Sequence, residues 1–492
     1  MHRLKNFING EWRESLSEKY IPNRNPADLN DILCESPQSN EQETIAAIEA
    51  AREAFHTWRE TPGPQRGRIL FTAMNLLRDQ AEELAVTLTR EEGKTLRDSR
   101  GEVQRAINVL EFTAGEGRKL RGATIPSEIS RTLIYTVRQP VGVVGLITPW
   151  NFPVAIPVWK IAPALVAGNT VVFKPADLTP LCAVKLTEIF QEAGVPAGVL
   201  NLVLGNGKTV GKTIVNHGQV DAISFTGSNE VGCGIYEQAS RRGIRVQCEM
   251  GGKNPIVVME DADLDLAIQG VIQGGFGSTG QRCTAASRLV VHEVVADRMV
   301  QGLTNAIKKI RIGEGINTET DMGPLVDENQ MNRVLEYIEV GKKEGAHLVY
   351  GGRRLEDPPY DKGLFMKPTL FDQVQPSMRI AQEEIFGPVV SVLRIKSFEE
   401  AVEIANAVPF GLSASIYTQD ISQAMRFVEL AEVGKVHINS PTIGGEAQAP
   451  FGGTKSTGIG PREQGLEAFE FYTEIKTVYV DYTGKKRDSS FY

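Results

Sequence analysis

The sequence predicts an α/β fold built on a doubly wound parallel sheet. Between residues 142 and 257, apolar runs of strand length alternate with segments of helical pattern. Repeated strand–helix–strand units of this kind make neighbouring strands parallel. A second α/β stretch begins near residue 254 and runs to about residue 445. The chain of 492 residues is long enough for two or three domains with a large core.

The elements of the first unit are separated by short connections. Strands are predicted at 141–148, 170–175, 199–205, 220–227 and 244–250. Helices are predicted at 156–168, 180–194, 208–217 and 229–243. The first helix is entered through a proline and the second ends at a glycine, as helix boundaries commonly do. Sheets of this type bind ligands beyond the carboxyl ends of their strands, so the site is expected there.

Three strand-like pieces fit neither unit. They are residues 7–15, which contain the hairpin signal Asn9-Gly10, and residues 131–140 and 470–482. Free strand edges promote association, so such strands need partners. We predict a small third sheet that joins subunits into a homodimer or homotetramer, in preference to terminal additions within one subunit. The segment from about 40 to 120 is rich in long helical stretches.

Composition and charge exclude several functional classes. The net charge of −8 disfavours nucleic acid and anionic membrane surfaces as partners. The 21 uncharged residues from Gln139 to Trp159 are long enough to span a bilayer. They contain four prolines, however, so a buried strand followed by an irregular turn fits better. With no basic and apolar leader at the N-terminus, we expect a cytoplasmic protein.

The cysteines and histidines predict neither a disulfide framework nor a metal site. Five cysteines are widely spaced without a C-x-x-C pair, and six histidines are scattered singly. Cys283 lies in "FGSTGQRCTAASR" among small residues that would leave its thiol accessible. By itself it is more often a packed residue than a nucleophile. Cys34, Cys182, Cys233 and Cys248 are interpreted as core-filling residues.

Two glycine-rich loops have different value as phosphate-binding signals. "GNGKTVGKT" at 205–213 lacks the first glycine of a P-loop, and its glycine spacing is one residue off the dinucleotide fingerprint. "FTGSNEVG" at 225–232 ends a strand and opens a helix. Gly227 would let a pyrophosphate approach, with the Ser228 and Asn229 amides facing it. A glycine turn with a helix cap is an equally good interpretation.

Seven motifs in a fixed order carry a resemblance that covers nearly the whole chain. They are "TPWNFP" at 148–153, "FKPADLTP" at 173–180, "FTGS" at 225–228, "CEMGGKNP" at 248–255, "GQRCTAASR" at 280–288, "EEIFGPV" at 383–389 and "PFGG" at 450–453. In order and approximate spacing they resemble the NAD(P)-dependent aldehyde dehydrogenase superfamily. Each motif alone is weak, and the ordered set is specific.

The resemblance implies an aldehyde dehydrogenase-like fold with three parts. A Rossmann-like cofactor domain would comprise residues 1–120 and 141–250. An α/β catalytic domain would comprise residues 251–447. A small β oligomerisation domain would contain residues 121–140 and 468–492. The implied cofactor is NAD or NADP, and the implied partner is a small-molecule aldehyde.

The resemblance also implies roles for individual residues. Cys283 matches the nucleophile, Glu249 the general base, and Asn151 the side-chain donor of the oxyanion hole. No metal ligands are implied. The residues matched to the cofactor cleft are Ile147, Thr148, Trp150, Lys174, Asp177, Gly207, Gly227, Ser228, Glu384 and Phe386.

These residue types suit aldehyde oxidation. A thiolate adds to the aldehyde carbon to form a thiohemiacetal, whose oxyanion expels hydride to the nicotinamide and leaves a thioester. One oxyanion-hole donor typically contributes about 3 kcal/mol. Glu249 would deprotonate the hydrolytic water, for which its pKa should rise toward ~6–7 through partial burial. Arg282 and the cofactor's positive ring are expected to increase the thiolate fraction of Cys283.

Finer sequence features indicate the substrate. Segments such as "GFGSTGQRCTAASR", "INSPTIGGEAQAPFGG" and "PREQG" most resemble the 2-oxoglutarate semialdehyde (2,5-dioxopentanoate) dehydrogenases. Succinate semialdehyde and plain aliphatic aldehydes are the rival substrates. A substrate with a distal carboxylate requires a cation. Arg282 is the first candidate, followed by Lys160 and Arg462. Lys160 is better explained as a solvated or packing helix lysine, and pairing with Glu463 or a place at a subunit contact are equally good interpretations of Arg462.

Three further alternatives stay open. Asp177 stands where many NAD-preferring relatives have glutamate, and its shorter side chain leaves the choice between NAD and NADP undecided. An acyl-CoA-forming relative would tend to lack the base, so Glu249 favours hydrolysis. A non-catalytic cofactor-binding scaffold of the same fold is disfavoured by the joint presence of Cys283, Glu249 and Asn151.

Overall fold

Two large sheets organise the computed structural model, which describes residues 2–486. The first sheet has eight strands and the second has seven. Helices cover both sheets, and four clusters of buried apolar side chains fill the spaces between the layers. Each unit therefore has the layered α/β arrangement that the alternating pattern predicts.

The first sheet is parallel in its centre and reverses strand order once. Its strands lie in the spatial order Glu11–Arg13, Asn6–Ile8, Leu200–Leu202, Thr170–Lys174, Val143–Ile147, Ala222–Thr226, Arg245–Glu249 and Gly458–Ile459. Val143–Ile147 pairs in parallel with Thr170–Lys174 on one side and with Ala222–Thr226 on the other. The chain thus winds first one way and then the other from Val143–Ile147. The crevice at this switch point is where doubly wound sheets bind ligands.

Helices on both faces of this sheet follow from local sequence. Ala155–Ala167 is buried along its whole length and ends at Gly168, whose φ of 100° is left-handed. Glu41–Trp58 begins with a capping box between Asn40 and Glu43. The other helices of this region are Gly63–Asp79, Ala81–Glu92, Leu96–Glu116, Pro180–Glu192, Lys212–Asn216, preceded by the tight turn Gly207–Gly211, and Asn229–Ser240.

The second sheet supports the other half of the site. Its strands lie in the order His347–Tyr350, Thr369–Asp372, Val389–Ile395, Ala286–His292, Asn254–Val258, Ser413–Tyr417 and Lys435–Ile438, and all but the first are parallel. Its helices are Leu264–Val271, which continues into the turns Ile272–Phe276 and Gly277–Gly280, then Glu293–Ile307, Glu328–Lys343, Arg379–Gln382, Phe398–Asn406 and Ile421–Leu430.

Three small sheets and one short helix complete the described chain. Thr473–Asp481, Thr132–Pro140 and Thr124–Ile125 form an antiparallel three-stranded sheet, so two of the three isolated strand predictions pair with each other. Two-stranded sheets join Tyr20–Asn25 to Asp28–Pro37 and Phe410–Gly411 to Thr454–Lys455. The helix Ala468–Tyr472 precedes the long C-terminal strand.

The prediction that the N-terminal hairpin belongs to the small third sheet was wrong. Asn9 and Gly10 both have positive φ, as a tight hairpin turn requires. Phe7, however, pairs with Leu202, so the hairpin extends the edge of the first large sheet. It does not contribute to the small three-stranded sheet. The local turn was predictable, whereas the choice of sheet depended on a contact with a strand almost 200 residues away.

The uncharged stretch 139–159 contains the buried strand Val143–Ile147 and the start of the helix Ala155–Ala167. Among residues 2–486, no helix combines the length and apolar character needed to cross a membrane. Within the same range, no cluster of three or more His, Cys, Asp or Glu side chains could hold a metal ion. All five cysteines are free. Cys34, Cys182 and Cys248 are buried, but Cys233 is exposed on the helix Asn229–Ser240, so its assignment to the core was wrong.

Candidate active site

The Cys283 loop is held in a strained but well-supported conformation. Ser278, Thr279 and Gly280 all have positive φ, between 48° and 70°. A Cβ on Gly280 would overlap the Gly387 carbonyl, so glycine is required there. The Cys283 carbonyl accepts a hydrogen bond of 2.8 Å from Asn254 Nδ2, and the same amide donates to the Ala285 carbonyl at 2.9 Å. These bonds tie the cysteine to the start of a central strand of the second sheet.

Cys283 is half-buried, and ionisation of its thiol is disfavoured in the protein without cofactor. Burial raises its pKa to about 12, and the carboxyl groups of Glu384 and Glu249 add to the increase. Lys435 and a backbone N–H of Thr284 act in the opposite direction on this pKa. The Arg282 guanidinium, which was expected to ionise the thiol, instead donates to Asp98 at 3.2 Å and to Ser278 Oγ.

Asn151 reaches the Cys283 loop from the first sheet. It follows the strand Val143–Ile147 and is buried. Its side-chain amide donates 3.0 Å to the carbonyl of Gln281, two residues before the cysteine. Its own carbonyl accepts a 2.6 Å bond from Lys94 Nζ, and Lys94 is in turn paired with Glu102 at 2.7 Å. A buried network therefore fixes Asn151 beside the nucleophile loop.

Glu249 occupies the end of the strand Arg245–Glu249, where it is buried. Within the described chain its Oε2 atom has no hydrogen-bond partner. Burial raises the pKa of Glu249 well above its ordinary value, and the neighbouring carboxyl of Glu463 raises it further. Lys160, Arg462 and a hydrogen bond from the Gly453 backbone oppose that rise. A buried carboxyl group with a free oxygen and an elevated pKa suits proton abstraction from water.

Two of the predicted substrate cations lie in the surroundings of Glu249. Lys160 is fully buried and is bonded to the Glu463 carboxylate and, at 2.7 Å, to Ser224 Oγ. Arg462 donates to the Gly453 carbonyl. The Lys160 ammonium is thus neutralised inside the protein, which agrees with its interpretation as a packing residue. Glu463 was considered only as a partner of Arg462, because nothing in the linear sequence links it to Lys160.

The predicted cofactor residues surround the switch point of the first sheet. Ile147 and Thr148 end one strand, and Thr226 ends its neighbour. The hydroxyl oxygens of Thr148 and Thr226 are buried and lack partners among residues 2–486. Ser228 caps the helix Asn229–Ser240, whose first-turn amides are available to an anion. Unsatisfied hydroxyls beside a helix N-terminus fit a polar dinucleotide such as NAD(P).

Gly227 has a packing explanation that does not depend on a ligand. A Cβ at this position would overlap the ring of Phe225. Gly207 begins the turn Gly207–Gly211, and Gly211 of that turn packs near Ile147 and Lys174. The predicted glycines thus lie at the crevice, and sterics alone account for one of them.

Lys174 and Asp177 contact each other at the end of the strand Thr170–Lys174. Lys174 Nζ donates to Asp177 Oδ1 at 3.1 Å and to the Pro175 carbonyl at 2.8 Å. Burial lowers the pKa of Lys174, and Asp177 counteracts the effect. Both groups lie where the resemblance places a ribose, and a ribose hydroxyl would compete for the Asp177 carboxylate.

Glu384, Phe386 and Trp150 close the opposite side of the crevice. The rings of Trp150 and Phe386 make an edge-to-face contact with centroids 5.4 Å apart, and Phe386 has a φ of 62°. Glu384 accepts a 2.9 Å bond from the Gly252 amide, and burial raises its pKa to about 7. A Cβ on Gly251 would overlap this carboxyl group, so the glycine allows Glu384 to reach the Glu249 segment.

Two cations near the thiol were missed by the sequence analysis. Arg105 lies on the helix Leu96–Glu116, and Lys435 begins the last strand of the second sheet. Electrostatic interaction with the Cys283 thiol contributes to the pKa of both Arg105 and Lys435. Neither residue belongs to a recognisable motif, and no linear signal distinguishes them from surface lysines and arginines.

Comparison with known proteins identifies the family. The model described as "Aldehyde dehydrogenase family" matches residues 12–478. Alpha-ketoglutaric semialdehyde dehydrogenase of Bacillus subtilis (strain 168) is 48% identical over 475 residues, covering 96% of this chain and 97% of the relative. The 2,5-dioxopentanoate dehydrogenase of Saccharolobus solfataricus is 47% identical over 472 residues, covering 95% and 98%.

A solved structure extends the comparison to three dimensions. Betaine aldehyde dehydrogenase from Staphylococcus aureus in complex with NAD+ superposes with a TM-score of 0.96 at 36% identity, covering 99% of this chain and 97% of that one. The match of family, length and fold agrees with the geometry of the crevice. This chain belongs to the aldehyde dehydrogenase family, the oxidoreductases that act on the aldehyde group.

Proposed function

We propose that the chain oxidises 2-oxoglutarate semialdehyde to 2-oxoglutarate with NAD+ or NADP+ as the hydride acceptor. The observation that carries the proposal is the meeting of Cys283, Asn151 and Glu249 where the two large sheets adjoin. The names of relatives nearly half identical to this chain support the substrate. The NAD+ complex of a structural relative supports the class of cofactor.

Cys283 and Asn151 would carry out the first half-reaction, the oxidation of the aldehyde to a thioester. The Cys283 thiolate would add to the aldehyde carbon, and the carbonyl electron pair would move onto oxygen. The Asn151 amide would exchange its bond to the Gln281 carbonyl for one to this oxyanion, joined by the Cys283 backbone N–H. When bound, NAD(P)+ accepts the hydride that leaves the carbon. Cys283 then holds the acyl group as a thioester.

The second half-reaction falls to Glu249. Its free Oε2 atom can accept a proton from water, whose oxygen attacks the thioester carbon. The carbon–sulfur bond breaks, the carboxylic acid leaves, and Cys283 recovers its thiol after protonation. Overall, one aldehyde, one water and one NAD(P)+ give one carboxylate, one NAD(P)H and two protons. A general base at this position favours water over a CoA thiol as the acyl acceptor.

An aldehyde panel tests this function. Purified enzyme is assayed for NADH and NADPH formation with 2-oxoglutarate semialdehyde, succinate semialdehyde and pentanal, with and without CoA. We expect the highest kcat/KM with the first aldehyde and no dependence on CoA. The ratio of the rates with NAD+ and NADP+ will show which of the two cofactors Asp177 favours. A preference for pentanal would contradict the proposed substrate.

The variant Cys283→Ala tests the nucleophile in the same assay. Removal of a covalent nucleophile should reduce turnover by about 10⁴-fold or more, since the remaining groups cannot replace it. NAD(P)+ binding, measured by calorimetry, should be retained because the switch-point residues are unchanged. Retained turnover would assign the chemistry to another group.

The three-stranded sheet supports a second part of the proposal, assembly with further copies of the chain. Ile475 and Tyr479 are 62% and 67% exposed on its C-terminal strand. Alternate residues of a strand share a face, so the two form an exposed apolar row. Burial of this row against another subunit would remove it from water, which favours a homodimer or homotetramer.

A further inference from the structure

Arg105 and Lys435 bring two positive charges to neighbouring peptides of one loop. An Arg105 amino group donates to the Gly445 carbonyl at 2.7 Å, and Lys435 Nζ donates to the carbonyl of Gly444. A second amino group of Arg105 donates to Gln464 Oε1 at 3.0 Å. Consecutive carbonyls therefore hold the two cations side by side, although Arg105 comes from a helix and Lys435 from a strand of the second sheet.

A pair of aromatic rings supports the same two side chains. The Arg105 guanidinium lies 5.3 Å from the centre of the Trp159 ring, and Lys435 Nζ lies 5.3 Å from that of Phe451. The two rings contact each other with centroids 5.5 Å apart. Aromatic faces stabilise cations without neutralising them, so the positive charge is retained.

No carboxylate of the described chain forms a salt bridge with these two cations, although Glu102 acts on Arg105 at longer range. Of the acidic residues in 2–486, none lies within 4.0 Å of Arg105 or Lys435, whereas Lys160 is paired with Glu463 and Arg282 with Asp98. The Nε atom of Arg105 is buried and has no partner there either. Burial, together with the positive charge of Arg105, lowers the pKa of Lys435 to about 8. Like charges held together and partly desolvated create a site for an anion.

Arg105 faces a cavity, and both cations act electrostatically on the nucleophile. Arg105 lines a cavity of about 730 Å³ together with Gly101, Gln104 and Gly445. Glu111 and Glu446 also line this cavity, and both are farther than 4.0 Å from the two cations. The charges of Arg105 and Lys435 act on the Cys283 thiol, and the Trp159 ring that contacts Arg105 belongs to the helix Ala155–Ala167, which closely follows Asn151 in the chain.

The geometry points to Arg105 and Lys435 as the groups that bind the distal carboxylate of the substrate. This inference rests on the proposed function and gives its specificity a physical basis. Arg105 Nε–H and the remaining ammonium hydrogens of Lys435 are free to donate to the two carboxylate oxygens. The site selects aldehydes that carry a carboxylate at the far end, and it assigns Arg282, Lys160 and Arg462 to other interactions.

A matched pair of substrates isolates the carboxylate. Pentanal and 5-oxopentanoate have five carbons each and differ only in a terminal methyl or carboxylate. Arg105→Met and Lys435→Met keep an unbranched, flexible side chain but remove the charge. Each should reduce kcat/KM for 5-oxopentanoate by about 10- to 100-fold, mainly through KM, the range expected for hydrogen bonds to charged groups. The ratio of kcat/KM for 5-oxopentanoate to that for pentanal should fall by a similar factor, because any change in the reactivity of the Cys283 thiol affects both aldehydes.

Conservative and comparison variants separate binding from a structural role. Arg105→Lys should recover part of the preference for 5-oxopentanoate, since the charge is kept. Arg282→Met should lower kcat/KM by the same factor for both substrates, because Arg282 bonds to Asp98 and Ser278 beside the Cys283 loop. Equal losses for both substrates in Arg105→Met and Lys435→Met would overturn the inference.

The wild-type measurements keep the two claims distinguishable. If wild-type enzyme prefers 5-oxopentanoate or succinate semialdehyde but the variants retain that preference, the assignment of the cations fails alone. If wild-type enzyme prefers succinate semialdehyde and the variants lose that preference, the cation site stands and only the proposed substrate fails. A wild-type enzyme that prefers pentanal overturns both.

Discussion

At the residue scale, Glu249 combines properties that a surface carboxylate lacks. Its environment contains one acidic neighbour, Glu463, and two basic ones, Lys160 and Arg462. Burial and the acidic neighbour favour the neutral form, so proton uptake by Glu249 from water becomes favourable. The raised pKa predicted from the sequence agrees in direction, although the sequence identified none of these neighbours as its cause.

The variant Glu249→Gln tests the second half-reaction. Glutamine keeps the shape but cannot accept the proton, so the thioester should accumulate. Rapid mixing should give a burst of NAD(P)H equal to about one equivalent per active site, followed by a steady state at least ~100-fold slower than wild type. A steady-state rate equal to wild type would remove Glu249 from the mechanism.

The raised pKa of Cys283 predicts a distinctive pH dependence for the cofactor-free protein. Only the thiolate reacts with iodoacetamide, and a pKa of about 12 keeps it a minor species up to pH 10. The alkylation rate should therefore rise about tenfold per pH unit from pH 7 to 10 without a plateau. Peptide mass spectrometry measures the alkylation rate of Cys283 in a Cys233→Ser background, which removes the exposed thiol. A plateau below pH 9 would contradict the assignment.

The ion pairs explain why side-chain partners escaped the sequence analysis. Arg282 and Asp98 are 184 positions apart, and Lys160 and Glu463 are 303 apart. No local window contains either pair, so the sequence analysis ranked Arg282 first, and Lys160 and Arg462 after it, as cations for the substrate without seeing that Arg282 and Lys160 are neutralised. Arg105 and Lys435 carried no motif at all, and only their unpaired charges in the folded chain distinguish them.

At the element scale, the turn before Cys283 is set by backbone conformation. Gly280 has a φ of 70°, and its missing Cβ leaves room for the Gly387 carbonyl. The sequence indicated small residues around Cys283 but not the three successive left-handed residues that aim it. Such backbone strain persists only where surrounding bonds maintain it, here those that Ser278 makes to the Asp98 carboxylate and Thr279 makes to the Gly323 carbonyl.

The variant Gly280→Ala tests this element against a matched control. We expect a loss of about 3 kcal/mol in the free energy of unfolding and a loss of most activity, because the Cβ adds both steric overlap and conformational strain. Gly194→Ala has a φ of 90° but no atom within 4 Å of the added Cβ, so it should cost only about 1 kcal/mol and retain activity. Urea denaturation and the aldehyde assay provide the two measurements. Equal effects of both variants would contradict a steric role for Gly280.

At the scale of the whole molecule, the small sheet carries the exposed apolar row Ile475 and Tyr479, and its role as a subunit contact stays a prediction. The double variant Ile475→Asp/Tyr479→Asp should reduce the native mass to that of the monomer, measured by size-exclusion chromatography with light scattering. Lys476→Asp lies between them on the opposite face of the strand and should leave the mass unchanged. A monomeric wild-type protein would contradict the predicted assembly.

The order of strands and helices, the hairpin turn and the motif-bearing residues were determined by the sequence alone, because periodicity, turn chemistry and residue type act over a few neighbouring positions. Asn9 of the hairpin turn and the motif residues Cys283 and Glu249 are examples. Tertiary structure decided which sheet received the hairpin, which cations are neutralised, and how far the thiol is suppressed. These outcomes depend on burial and on charges brought together from distant parts of the chain, and electrostatic energies become large only where folding excludes water.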